Sequence, residues 1–137
     1  MPIASAAQNI SEVATAGPYT INLKLLPAET FGGSHPAMVY DSGAMAVPVN
    51  RADHPDHHLV VFIKKDGKPV ENARVTITYR QSHWAQWRKL QVARMHAAGQ
   101  GPETTHYGNN VKLIPGKYEI RVTVDAERFV TFEITIS

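Results

Sequence analysis

Seven histidines and no cysteine stand in this chain of 137 residues, and three of the histidines crowd into "HPDHHLVVFIKKDG" (residues 54–67), directly before an apolar run. Neutral imidazole nitrogen suits copper, zinc, iron and nickel, whereas a methionine thioether favours Cu(I). Met38, Met45 and Met95 are the available soft companions. Histidine with methionine and without cysteine reads as copper before zinc, which more often recruits Cys or a carboxylate. The stretch "VARMHAAGQGPETTHYGNN" carries the strongest spacing signal. Its middle, 97–105, is a Gly/Pro/Thr-rich loop, and the segments on either side have strand character. If the loop closes a hairpin, Met95 and His106 face each other at its stems, with Cα atoms roughly 4.5–5.5 Å apart. His58, at the entrance of the next apolar strand, is positioned to add a third donor.

The other histidines have plainer readings. His54 and His57 flank a Pro-Asp turn and read as solvated loop residues, His57 being a spare ligand. His35 lies in the turn "GGSHPAMVY" as a mobile ligand or a surface residue. His83, beside Trp84, reads as surface. Strand alternation turns His96 away from the side that Met95 occupies. Trp84 and Trp87 would suit sugar stacking, but core or interface anchoring is the favoured reading.

The elements that must position these groups are strands. "YTINLKL" alternates Tyr19, Ile21, Leu23 and Leu25 against polar residues; "ARVTITY", "KYEIRVTV" and "VTFEITI" do the same. "HLVVFIK" (58–64) is apolar on both faces and therefore belongs in the middle of a sheet. Shorter strands are expected at 37–41 and 44–49, and "HWAQWRKL" as a helical turn or bulged strand. Turn residues in "KKDGKP", "IPGK" and "DAER" separate the runs. The pattern predicts an all-β fold, an antiparallel immunoglobulin-like (cupredoxin-like) β-sandwich over residues 18–137, after a flexible N-terminal leader over 1–17.

Composition narrows the function. The net charge is +2, and the 14 Lys and Arg are scattered among 12 acids, so no phosphate-tracking stripe for nucleic acid forms. No apolar run approaches ~18 residues, so the chain is not expected to span a membrane. The opening "MPIASAAQNISEVATAG" lacks a basic n-region and an apolar h-region, and its Ala/Ser character suits a tail left after removal of a signal. No G-x-S-x-G or H-E-x-x-H motif is present, so a binding protein is favoured over an enzyme.

"HYGNNVKLIPGKYEIRVTV" (106–124) resembles the end of a bacterial periplasmic high-affinity iron-transport accessory family, whose members are copper-binding immunoglobulin-like dimers. His106, Tyr107, Gly108, Asn110, Val111, Gly116, Lys117 and Tyr118 fit its pattern. "HHLVVFI" is similar to the family's His-Leu-Glu-x-x-Ile strand and "RKLQVARM" to the strand carrying its methionine. The resemblance spans 57–124 and implies a metal site of His58, Met95 and His106. The family's Glu falls at Val60 and its last His at Thr123, so the site is weaker or more open than the family's, or His35, Met45 or His57 replaces them. The implied protein is periplasmic and homodimeric. It binds copper, or iron, and supports iron or copper uptake beside an inner-membrane metal permease. The alternative is a metal-free immunoglobulin-like interaction module in which the histidines form a polar, pH-responsive rim.

Overall fold

The computed structural model describes residues 9–31, 37–126 and 128–137. The strands are β1 (Ile10–Ala16), β2 (Tyr19–Pro27), β3 (Met38–Gly43), β4 (His57–Lys65), β5 (Lys68–Pro69), β6 (Val75–Gln81), β7 (Arg88–Leu90), β8 (Ala93–Ala97), β9 (His106–Val111), β10 (Gly116–Val124) and β11 (Arg128–Ile136). One sheet runs β1-β2-β4-β9-β8-β3, with β5 added to β4; the other runs β11-β10-β6-β7. Every ladder between these strands is antiparallel. The fold is the β-sandwich that the alternating pattern predicts.

Alternation builds the main core. Ile21, Leu23 and Leu25 of β2, Leu59 and Val61 of β4, and Ile120, Val122 and Val124 of β10 are fully buried between the sheets. β4 is interior, paired to β2 on one side and β9 on the other. Its double apolar character has a purpose here. Leu59, Val61 and Ile63 join the main core, whereas Val60 and Phe62 join a second cluster with Met38, Ala93 and Met95 on the opposite face of the same sheet.

Three segments differ from the sequence reading. Residues 10–16, placed in the leader, form β1 and pair with β2 from Ile10↔Leu25 to Ala16↔Tyr19. Ile10, Ala14 and Ala16 pack on the main core, so small side chains suffice where a neighbouring strand supplies the hydrogen bonds. Residues 44–49 are not a strand: the Val47 N–H and C=O and the Met45 C=O bond to the side chains of Asn109 and Asn110 instead of to a ladder. "HWAQWRKL" keeps strand structure at Arg88–Leu90, and the chain then crosses to the other sheet, where Ala93–Ala97 begins β8.

Candidate metal centre

The β8–β9 hairpin forms as its loop composition predicts, with a short 3-10 turn over Pro102–Thr104. Its ladder pairs Met95 directly with His106. In the next ladder His58 opposes Asn110 and Val60 opposes Gly108. Since side chains alternate across each strand, His58, Val60 and Phe62 of β4, His106 and Asn110 of β9, and Met95 of β8 share one face. Ring contacts agree: the His58 and His106 centroids are 5.6 Å apart and edge to face, and Phe62 lies 4.9 Å from His106. Phe31 closes on His58 from the far side at 6.1 Å, carried there by its bridge to Met38.

Hydrogen bonds fix which nitrogen of each ring is free. Asn110 Nδ2 donates to the carbonyls of Glu29 (2.7 Å) and Val47 (2.8 Å), so its Oδ1 must face His58 Nδ1, at 2.8 Å. An amide oxygen only accepts, so His58 Nδ1 carries the proton. The Thr104 carbonyl imposes the same tautomer on His106, whose Nδ1 donates across 2.6 Å. Both Nε2 atoms therefore point a lone pair into the protein. Both are buried, and among the described residues neither has a hydrogen-bond partner. An unsatisfied buried acceptor costs about 1–3 kcal/mol, so two side by side call for a ligand.

Burial acts on the same rings. It pushes the His58 imidazole down from its ordinary 6.5 to about 4, against the supporting bond from Asn110, and His106 nearby adds to the drop. His106 is lowered too, again chiefly by burial and in spite of the Thr104 bond. Neutral imidazoles with Nδ1 engaged and Nε2 free are in the state that binds a metal. Met95, fully buried, offers a thioether from the adjacent strand. The donors present thus fit a soft or borderline ion. Among the described residues no three of His, Cys, Asp and Glu gather to hold a metal, and Met95 is the further donor beside the two imidazoles.

The weaker candidates are dispersed. His57 is buried but projects to the other face of β4, with Nδ1 2.8 Å from Asp56. Met45 is 75% exposed. His35 lies outside the described residues. Val60, where the resembling family has Glu, is fully buried in the cluster with Met95, and Thr123 sits in the other sheet, paired with Thr76 and Phe129. His54 is exposed, and His83 and His96 pair with Glu119 and Asp41. The tryptophans are not core anchors: Trp84 is 83% exposed, and Trp87 lies under the guanidinium groups of Arg80 and Arg121. Sequence reasoning missed Asn110 as the group that orients His58, and Met38 as a buried neighbour of Met95.

Replacing Asn110 by Ala tests that orientation. It strips His58 Nδ1 of its acceptor and releases the Glu29 N–H and C=O and the Val47 C=O, so about 4 kcal/mol of stability is lost at about 1 kcal/mol for each of the four bonds. Imidazole 15N shifts should report a single His58 tautomer in wild type and a mixture in the variant.

No protein-family profile matches this sequence, and no curated protein matches it at a significant level. Solved structures do match in fold. A copper-bound variant of FetP from uropathogenic Escherichia coli strain F11 superposes with a TM-score of 0.66 at 16% identity, over 93% of this chain and 95% of that one. FetP of the same strain, as isolated after recombinant expression in the periplasm of E. coli, gives 0.65 at 15% identity, over 93% and 94%. The chain is distantly FetP-like in fold. Among the described residues no helix is long and apolar enough to cross a membrane.

Proposed function

We propose that this protein binds copper through His58 and His106 Nε2 and the Met95 thioether, and hands the metal on in support of iron or copper uptake. The observation that carries this reading is the pair of buried His58 and His106 Nε2 atoms, without a hydrogen-bond partner among the described residues, on the same sheet face as the buried Met95. The fold shared with a copper-bound FetP structure supports it. A bound copper ion would supply a one-electron couple; the protein's part is to hold two imidazoles in one tautomer, exclude water and keep the site from protonating. Action in the periplasm, as a homodimer beside an inner-membrane metal permease, completes the proposal on the strength of the sequence resemblance.

Thermal unfolding tests it. A ligand that binds only the folded state adds about 2.7 kcal/mol at a hundredfold excess over its dissociation constant. Copper should therefore raise the melting temperature of untagged wild-type protein, and replacing His58, Met95 and His106 together by Ala should abolish the rise. An unchanged rise in the triple variant would reject these residues. No rise in wild type would favour the metal-free interaction module.

A further inference from the structure

The surroundings of the three donors specify the charge of the ion. Every donor is neutral. The positions that share their face are Val60, Phe62, Asn110 and Gly108, with Phe31 and Met38 packed over them. No carboxylate joins the group among the described residues. The titratable side chains that bear on His106 are His96, Asp41 and Lys24. Asp41 is engaged by His96 Nδ1 at 2.9 Å, and the Lys24 ammonium lies 5.1 Å from the Phe62 ring centroid. At His106 the negative Asp41 is opposed by the positive Lys24, so the two formal charges that bear on the site cancel.

The energetic cost of placing an ion in such an environment grows with the square of its charge. A divalent ion meets about four times the desolvation penalty of a monovalent one, and it recovers none of that from neutral ligands by charge neutralisation. A soft d10 monovalent ion, in contrast, bonds well to thioether and imidazole and accepts a coordination number as low as the donors here provide.

Resting on the proposed copper-binding role, we infer that this site selects monovalent Cu(I), and its redox-inert counterpart Ag(I), over Cu(II), Zn(II) and other divalent first-row ions. Val60 is the residue that keeps the site neutral: on β4 it lies between His58 and Phe62, fully buried and opposite Gly108.

The experiment compares ions on the wild-type chain. Ag(I), Cu(I) held reduced under nitrogen, Cu(II) and Zn(II) are each titrated against thermal stability, with the methyl resonance of Met95 followed by NMR. Ag(I) and Cu(I) should bind at least 100-fold more tightly than Cu(II) or Zn(II) and move the Met95 methyl signal. Met95→Leu should weaken Ag(I) at least tenfold while leaving the weak divalent binding within twofold. Val60→Glu, if it folds, should narrow the preference by at least tenfold. Equal affinity for Cu(II) or Zn(II) in wild type overturns the selectivity and leaves copper binding standing. Failure of every ion to bind overturns the copper-binding role itself.

Discussion

Metal-free protein loses about 2 kcal/mol of folding stability through His58 alone as the pH falls from 7 to 5, and about 3 kcal/mol by pH 4. The folded state holds the His58 imidazole at about 4, against an ordinary 6.5 once the chain unfolds. Between those values the unfolded state binds the extra proton, so stability is fully present above about 6.5 and drains away as the pH drops towards the folded value. His106, lowered for the same reason, adds loss in the same direction. Urea midpoints at pH 7, 6 and 5 with a chelator present measure it, the window lying above the titration of most carboxylates. The His58→Phe variant should show a flatter curve, whatever its stability at pH 7. Identical slopes in the two proteins would show that His58 is not neutral in the fold.

Gly108→Ala is expected to cost about 3–4 kcal/mol and Gly108→Val to prevent folding at 37 °C. A Cβ at position 108 would run into the Leu59 carbonyl oxygen and lie 2.7 Å from Val60 Cα, and φ is +156°. The obstacle is backbone in the centre of the seven-stranded sheet, held by ladders on both sides of β9, so it cannot swing aside. Gly67→Ala is the control. Its φ is +77°, yet no atom lies within 4 Å of the added Cβ, so only the dihedral strain of about 1–2 kcal/mol should register. Comparable losses for the two variants in equilibrium urea unfolding would mean that the close approach at Gly108 relaxes.

The strands that flank the site were legible because burial on one face leaves a period-two trace. Ile21, Leu23 and Leu25, or Ile120, Val122 and Val124, alternate with polar residues and end up fully buried. The doubly apolar "LVVFI" similarly announced an interior strand. β1 left no such trace, because Ile10–Ala16 gains its place mainly through backbone bonds to β2, which any side chain permits. The segment 44–49 gave a false trace: its apolar residues suit a strand, but its backbone groups are taken by two asparagines about sixty residues further on.

At the site itself, the chain order and the hairpin composition sufficed to oppose Met95 to His106, since a Gly/Pro-rich loop between strand-like segments fixes which residues meet. Alternation likewise sufficed to turn His96 away from Met95, whereas His57, read as a solvated loop residue, is the buried first residue of β4. What no local pattern encodes is the approach of β4 to β9, which sets His58 against Asn110 across fifty-two positions and brings its ring to 5.6 Å from His106. The tautomers, the stripped Nε2 atoms and the lowered proton affinity all follow from that packing. Hydrogen-bond partners and desolvation are properties of the assembled interior, and the residue types alone carry neither.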